Sequence, residues 1–443
     1  MNIRSIAMSF GGGHRVATLR RWTLHTVFNF STLHNFLPWL ENKAASTISS
    51  SLSIANSSSY GNSLFASNSI QTGDCILHVP YSVQITPDNL PPQIRSLITE
   101  DVGNVAKLAI VLLIHKNLGQ IFWNESELEM IRQSSVYEET IYQKSQIEKD
   151  FMAIRPVFKS FCQSFGDFTC KDFMHACAQV GSRAWGSTKG LSLIPFADFL
   201  NHDGTSEAIV MSDDNKQCSE VIADRDYVPG EQVLIRYGKF SNATLMLDFG
   251  FTIPYNIYDQ VQIQCDIPKL DPLRDMKLEL LQQYFVPPTK VEKGLKYSVN
   301  SFTIKEVKSA RGKGKGVPQS LRALARVLSC TTPQAFTFGI CIDGISELNY
   351  LVMEAAETDG RLARRPLQDT NKEIQAHKIL SSLFIQLIED RNATIMSLDS
   401  CDSSSLGERL PIRRQMAQDL LHGELRILKS ASAWLENYCF SLT

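Results

Sequence analysis

Two stretches of strand-like patterning, separated by a long helical stretch, most constrain the fold of this chain. Residues 63–86 alternate short apolar runs with Gly73 and Pro80, as strands joined by tight turns do. Residues 101–181 have mainly helical periodicity, and strand-like runs return between about 190 and 265. The rest of the chain is predicted to be helical. This order differs from a βαβ alternation and excludes a doubly wound nucleotide-binding sheet.

A Gly/Lys/Arg segment, KSARGKGKG, occupies residues 308–316 in the predicted helical part. It lacks the GxxxxGK[ST] spacing of a phosphate-binding loop, and no strand leads into it. We therefore expect a solvated, flexible connection at this position.

Composition and charge exclude several classes of protein. The formal net charge of -2 over 443 residues gives no general basic field, so a nucleic-acid partner is not expected. The longest aliphatic run, residues 108–114, is too short to span a bilayer, so no membrane segment is expected either. The 10 cysteines include no CxxC pair, which is typical of free thiols in a reducing compartment.

The N-terminal segment has the composition of an organelle transit peptide. It contains no Asp or Glu, yet it carries Arg4, Arg15, Arg20 and Arg21 among many Ser and Thr residues. The alternative is a disordered, mildly basic tail. We predict a transit peptide over residues 1–32 that is dispensable for folding.

A polar cluster directly follows an apolar run in SLIPFADFLNHDGTSEAIV, residues 192–210. Its polar members are Asp198, Asn201, His202, Asp203 and Glu207. Burying each of them without a partner would cost free energy, so the cluster is either a solvated loop or the lining of a site. Metal ligation by Asp198, His202 and Asp203 matches no common ligand spacing. A Ser/His/Asp triad is equally unsupported, because the chain has no G-x-S-x-G elbow.

A family resemblance rests on this cluster together with a later segment. The combination of IPFADFLNH, residues 194–202, with RYGKFSNATLMLDFGF, residues 236–251, resembles SET-domain methyltransferases of the Rubisco large-subunit lysine methyltransferase-like class. The resemblance extends to FLPWLENKA near the N-terminus, to DFMHACAQVGSRAWG, and to the helical segments NKEIQAHKILSSLFIQLIEDRNATI and MAQDLLHGELRILK.

The resemblance implies an α+β fold in two parts. The first is a SET domain at residues 33–265, built of small twisted β-sheets with a knot-like crossing and a helical insert at about 90–180. The second, residues 266–443, is an all-α domain of the Rubisco-methyltransferase type that binds the protein substrate.

The resemblance also implies the cofactor S-adenosylmethionine and assigns its site. The cofactor-binding positions are Gly61, Asn62, Arg183, Asn201 and His202. Arg183, Asp198 and Phe249 correspond to substrate-side positions, with Arg183 acting largely through its backbone carbonyl, and Tyr237 corresponds to the catalytic tyrosine. No metal is expected.

Three positions depart from the family pattern. In YGNS, Tyr60 stands where an acidic residue is usual, and Ser63 replaces the second glycine of the turn against the cofactor. A glycine there would permit close backbone approach or a positive φ, so its loss bears on cofactor affinity. Phe249 stands where the Rubisco enzymes carry tyrosine, which predicts a more apolar channel and a different degree of methylation.

Together these features predict a protein-lysine N-methyltransferase acting on a non-histone protein. The alternatives are a non-catalytic SET-fold adaptor and a protein-histidine methyltransferase. The expected partner is a protein substrate docked on the C-terminal helical domain of a monomer. The expected location is the chloroplast, with the mitochondrion or cytoplasm as alternatives.

Overall fold

A computed structural model describes most of the chain. The described residues are 35–57, 61–99, 102–114, 123, 125–160, 168–187, 190–275, 277–278, 301–329, 366–367, 369–400 and 409–443. The predicted transit segment and Tyr60 lie outside them. The described residues divide into two compact units: the first unit contains those up to Tyr258 together with 409–419, and the second contains those from Asp259 to 400 together with 420–443.

Helices dominate two regions of the sequence. They are α1 (Phe36–Ala44), α2 (Pro92–Arg95), α3 (Asn104–Ile114), α4 (Glu125–Glu129), α5 (Ser135–Ser160), α6 (Cys170–Arg183), α7 (Asn242–Thr244), α8 (Gln319–Ser329), α9 (Thr370–Ser400) and α10 (Arg409–Phe440). A π-helical turn, Leu245–Phe249, follows α7. In the described part of the chain, no helix combines the length and the apolar character needed to cross a bilayer.

The strands are short and form small sheets. They are β1 (Leu52–Ser57), β2 (Gly61–Ala66), β3 (Cys75–Pro80), β4 (Trp185–Ser187), β5 (Gly190–Ser192), β6 (Asn201–His202), β7 (Val210–Asp213), β8 (Cys218–Ile222), β9 (Leu234–Ile235), β10 (Gln260–Gln264) and β11 (Ser301–Lys305). The pairs β1–β2, β4–β5 and β10–β11 and the three-stranded sheet β3–β8–β7 are antiparallel, whereas β6–β9 is parallel. The predicted α+β class of small sheets with a helical insert is confirmed.

The first unit has two apolar cores. One lies among the small sheets and is built from alternating strand residues such as Leu64, Val79 and Ile235, each fully buried. The other lies among the inserted helices, where Leu108 of α3 and Phe173 of α6 are fully buried. α6 begins at Thr169 with a capping box, in which the Thr169 side chain and Asp172 bind each other's backbone N–H.

The second unit has its own core and is mainly helical. Leu324 of α8, Phe384 of α9 and Leu428 of α10 are buried together against the β10–β11 pair. β11 lies in a region that the sequence predicted to be helical, whereas β10 lies within the segment of predicted strands that ends near residue 265. The alternation of Val261 and Ile263 inward, with glutamines outward, explains why the segment forms a half-buried strand.

The Gly/Lys/Arg segment at 308–316 is not the free connection that the sequence suggested. Trp434 donates a hydrogen bond from its indole Nε1 to the carbonyl of Gly312, 2.9 Å away. Gly314 has φ +62°, and a Cβ at this position would lie 2.3 Å from the Trp434 ring. Glycine is therefore required for packing against the indole. The lysines of the segment remain exposed.

Candidate functional site

The parallel pair β6–β9 brings the two recognised motifs side by side. Asn201 lies opposite Leu234 and His202 opposite Ile235. Tyr237 follows β9, and its backbone N–H donates to His202 Nδ1 at 3.1 Å. The chain enters β6 through Phe196, which is fully buried and has φ +69°. Such a conformation costs of order 1–3 kcal/mol in a non-glycine residue and persists only where packing enforces it.

The Tyr237 side chain is 7% exposed and its hydroxyl is engaged. It donates a hydrogen bond to the carbonyl of Leu200 at 2.7 Å. Its ring lies 5.1 Å from the His202 ring and 5.2 Å from the Phe249 ring. The structure therefore holds a phenol hydroxyl and a backbone carbonyl together, immediately before the Asn201–His202 strand.

Aromatic side chains surround Tyr237. Trp185 in β4 meets its ring edge-on at 5.9 Å, and Phe251 lies 6.5 Å away. Phe249 ends the π-helical turn, a local distortion that is frequent at functional sites, and stacks on Phe240 at 5.7 Å. Trp185 was not among the residues predicted for the site. Its position two residues after Arg183 in SRAWG was the available signal.

A chain of polar side chains runs along α6 to the site. His175, Gln179 and Arg183 are four residues apart, so they share one helix face. His175 Nε2 lies 3.2 Å from Gln179 Nε2, Gln179 Oε1 accepts from Arg183 Nε at 3.0 Å, and Arg183 Nη1 donates to Asp198 Oδ2 at 2.7 Å.

Arg183 and Asp198, two of the predicted substrate-side residues, form an ion pair at the end of this chain of contacts. Their side chains are 4% and 16% exposed. Burial, assisted by the Arg183 charge, lowers the pKa of His175 to about 4. His175 is therefore neutral at physiological pH, and its Nδ1 is buried without a hydrogen-bond partner.

The Gly61–Ser63 segment forms the start of β2. Gly61 has φ +69°, the left-handed conformation that favours glycine. Ser63 is fully buried in a strand that pairs regularly, opposite Ala55. The serine in place of the second glycine therefore introduces no left-handed strain. The neighbouring Asn62 is 4% exposed.

Ser63 connects the glycine turn to Asn201. Its Oγ donates to the Gly61 carbonyl at 3.0 Å and accepts from Asn201 Nδ2 at 2.7 Å. Asn201 is fully buried, and its Oδ1 has no hydrogen-bond partner. The predicted cofactor residues Gly61 and Asn201 thus meet through Ser63, while Asn201 keeps one unsatisfied acceptor.

Within the described residues, one group of side chains has the arrangement of metal ligands, and it lies away from these residues. His78, Cys218 and Glu220 offer ligand atoms within 4.8 Å of one another. Lys216 Nζ lies 3.0 Å from each Glu220 carboxylate oxygen and supplies a positive charge there. Burial, followed by the Glu220 charge, raises the pKa of the Cys218 thiol to about 11. Asp198, His202 and Asp203 are not part of this group.

Two family models match the chain in succession. The SET domain model matches residues 61–238. A model described as Rubisco LSMT substrate-binding matches residues 268–428. The chain is a SET-domain protein with a Rubisco LSMT-type substrate-binding domain, and the recognition of this class from its motifs is confirmed.

Curated relatives resemble part of the chain. The actin-histidine N-methyltransferase of Gallus gallus is 26% identical over 291 residues, which cover 58% of this chain and 48% of the relative. The actin-histidine N-methyltransferase of Homo sapiens is 24% identical over 293 residues, with the same two coverages. The chain spans about half the length of the curated relatives that it matches.

Solved structures of Rubisco LSMT share the fold. One bound to sinefungin and monomethyllysine has a TM-score of 0.67 and 19% sequence identity, and the match covers 93% of both chains. One bound to AdoMet has a TM-score of 0.62 at the same identity and coverage. The SET domain of LSMT bound to lysine and AdoHcy has a TM-score of 0.66 at 19% identity, covering 93% of this chain and 92% of that one.

Proposed function

We propose that this protein is an S-adenosylmethionine-dependent protein-lysine N-methyltransferase. The observation that carries the proposal is the parallel β6–β9 pair, which places Asn201 and His202 beside Tyr237 and the Leu200 carbonyl. Methyl transfer depends mainly on holding a donor methyl in line with a nucleophile, so a rigid arrangement of polar atoms supplies much of the rate. SET-domain membership supports the same reaction.

The residues of the site fit S-adenosylmethionine. The cofactor carries several N–H donors, and the buried, unsatisfied Oδ1 of Asn201 is an acceptor for one of them. Gly61, Asn62 and His202 lie on the elements that Asn201 contacts or belongs to, and would complete the binding surface. When bound, the cofactor supplies a methyl group activated by its sulfonium charge.

The protein's own groups would orient and desolvate the acceptor. The Tyr237 hydroxyl donates its hydrogen to the Leu200 carbonyl, so its oxygen can accept a hydrogen bond from a neutral amine and orient it. Trp185 and Phe249 exclude water around it. A free lysine has a pKa near 10.4, and desolvation favours its neutral, nucleophilic form.

The aromatic surroundings of Tyr237 favour lysine over histidine as the acceptor. Trp185, Phe249 and Phe251 present ring carbon to the site, and the long methylene stem of lysine packs well on such surfaces. An imidazole acceptor instead needs a hydrogen bond to its second nitrogen, to fix which nitrogen faces the methyl. Phe249 provides no hydroxyl for such a bond.

Histidine methylation is the second candidate, favoured by the similarity to actin-histidine N-methyltransferases. One experiment separates the candidates. The full chain is incubated with an organelle extract and cofactor carrying a labelled methyl group, and the labelled protein is hydrolysed to amino acids. Labelled methyllysine supports the proposal, whereas labelled methylhistidine replaces it with the second candidate.

A non-catalytic adaptor is tested separately by calorimetry with S-adenosylmethionine. Heat of binding from the wild-type chain, with a weaker affinity in Asn201→Ala, supports a cofactor-dependent protein. An absence of binding heat, together with an absence of label transfer, would contradict the proposal and leave the adaptor.

The substrate and location follow from other parts of the sequence. Docking of the protein substrate on residues 266–443 is supported by the substrate-binding family match. Import into an organelle is supported by the acid-free composition of residues 1–32, and the chloroplast is preferred because the chain resembles the Rubisco methyltransferase class. A reporter fused to these residues should enter plastids; a reporter found in mitochondria or only in the cytosol would contradict the plastid proposal.

A further inference from the structure

We propose that Ser63 is a positioning residue that fixes the orientation of the Asn201 amide, so that Asn201 Oδ1 accepts a hydrogen bond from an N–H group of the cofactor. This inference rests on the proposed function. It assigns a role to a residue that departs from the family's glycine pattern.

The hydroxyl of Ser63 has a limited hydrogen-bond capacity. A hydroxyl has one hydrogen to donate and two lone pairs to accept with. The neighbour of Ser63 on one side is the Gly61 carbonyl, 3.0 Å away, which can only accept. The single hydrogen of Ser63 is therefore committed to Gly61, and its Oγ can only accept from any other partner.

The nitrogen and oxygen of the Asn201 amide are distinguished by their hydrogen-bond partners. The amide atom 2.7 Å from Ser63 Oγ must be a donor, which makes it Nδ2. With the amide reversed, Asn201 Oδ1 would face Ser63 Oγ, whose single hydrogen is donated to the Gly61 carbonyl. Two acceptor oxygens would then face each other, and the NH₂ group of Asn201 would lose Ser63 Oγ as its acceptor. Ser63 therefore selects one of the two amide orientations.

The remaining amide atom is Asn201 Oδ1, an acceptor. Both Ser63 and Asn201 are fully buried, and Asn201 Oδ1 has no hydrogen-bond partner. A buried acceptor left unsatisfied costs stability, so a native site that keeps one is expected to satisfy it by binding. The missing partner must be a donor. The cofactor offers two sources of N–H, its amino-acid ammonium group and the exocyclic amine of its adenine.

A glycine at position 63 could not perform this role, because it has no side-chain atom to accept from Nδ2. The strand geometry accommodates the serine, since β2 is extended at this residue and pairs regularly with β1. The same backbone therefore supports the substitution without a left-handed φ, and the hydroxyl adds a constraint on Asn201.

The test compares Ser63→Ala with Ser219→Ala by calorimetry. Ser219 is a matched control: it is 1% exposed and accepts from Gln84 Nε2 at 3.0 Å, away from Asn201. The ligands are S-adenosylhomocysteine, its inosine analogue without the exocyclic amine, and its analogue without the α-amino group. Ser63→Cys, which keeps the size of the side chain but weakens its hydrogen bonds, serves if Ser63→Ala does not fold.

Ser63→Ala should raise the Kd for S-adenosylhomocysteine by about tenfold or more, equivalent to about 1.4 kcal/mol, whereas Ser219→Ala should leave the Kd unchanged. The penalty should disappear with the analogue that lacks the donor, which identifies the donor, and should persist with the other. Equal penalties for all three ligands, or no penalty, would overturn the inference while leaving the proposed function intact. A wild-type chain that binds none of the ligands would overturn both.

Discussion

Both units bury polar side chains, but they satisfy them in different ways. In the second unit, Glu373 is fully buried and accepts from Arg326 Nε and Nη2 and from the Tyr438 hydroxyl, at 2.8–2.9 Å. His377 there uses both ring nitrogens, with Nε2 accepting from Arg322 and Nδ1 donating to the Glu373 carbonyl. Partners within the chain account for the Glu373 carboxylate and both His377 nitrogens, which indicates a structural role. Arg322 Nη2 makes no hydrogen bond there, but it lies 3.6 Å from Glu373 Oε1 in an ion pair.

The first unit leaves buried polar atoms unpaired: an acceptor on Asn201 and, because His175 Nε2 accepts from Gln179, a donor on His175. Asn201 Oδ1 and His175 Nδ1 are buried without hydrogen-bond partners, although each residue uses its other polar atom within the chain. The difference teaches that burial of a polar group does not by itself indicate a site. A buried acceptor with no donor within reach, such as Asn201 Oδ1, is the stronger indication, because its partner must come from outside the chain.

The largest expected effect comes from breaking the buried second-unit cluster around Glu373, in which Arg326 and Tyr438 donate to the carboxylate. Glu373→Ala removes the carboxylate from buried Arg326, and leaving a buried charge unpaired should destabilise the protein by about 3–5 kcal/mol. Chemical denaturation measures this loss. The exposed Glu436→Ala on α10 is the control and should change stability little. If the comparison is sound, the cofactor Kd of folded Glu373→Ala equals that of the wild type.

Tyr237→Phe tests the candidate site of the first unit. Removing one hydroxyl leaves the core packing intact but releases the Leu200 contact, so methyl transfer should fall on the order of 10²-fold or more while cofactor affinity persists. Tyr227→Phe is the matched control, because it removes another buried hydroxyl, bound to Asp224 at 3.0 Å. Wild-type turnover from Tyr237→Phe would show that Tyr237 is only a core residue.

Acid should weaken the folded state through one histidine in each unit. Burial lowers the pKa of His175 and of His377 to about 4, against a reference of 6.5. As pH falls below 6.5, these histidines bind protons in the unfolded chain but stay neutral in the folded chain. The free energy of unfolding therefore decreases between pH 6.5 and 4.

The expected loss from each histidine between pH 6.5 and 5 is about 2 kcal/mol. Stability measured against pH should therefore have a smaller slope in His175→Gln and in His377→Gln. The exposed His422→Gln is the control substitution and should follow the wild type. An unchanged slope in either buried variant would remove that histidine from the comparison.

The smallest expected effect is that of Asn201→Ala on cofactor binding. Losing one hydrogen bond to the ligand should raise the Kd about tenfold, or about 1.4 kcal/mol. Gln84→Ala is the control, since Gln84 is a buried amide whose partners all lie within the chain. An equal increase in Kd for both variants would mean that open and closed polar groups do not differ in function.

The sequence predicted the parts of the site that lie within its motifs. The order of periodicities and the IPFADFLNH and RYG segments were sufficient for the fold class and for selecting Asn201, His202 and Tyr237. Their roles stay predictions. The contact of Ser63 with Asn201 spans 138 residues, and periodicity contains no information about which side chains meet at that distance.

Local chemistry explains the other differences. The glycines near 312 were interpreted as a free connection because glycine favours loops, but Trp434 makes them a packing surface. The β11 strand was missed in a region that is otherwise helical, because its five residues are too short to establish a period. The π-helical turn at Phe249 depends on a single extra residue per turn, which sequence spacing does not resolve.

The parallel contact between β6 and β9 also determines when the site can exist. Tyr237 and His202 are 35 residues apart and Ser63 and Asn201 are 138 apart, so the contacts that join these segments of the site close long loops. Loop-closure entropy delays such contacts until the surrounding core compensates for it. A growing chain can therefore form its hairpins and helices before residue 237 has been synthesised, yet it gains the capacity to bind a ligand only with the final closure. In refolding, ligand binding should return in the slowest phase, together with native stability.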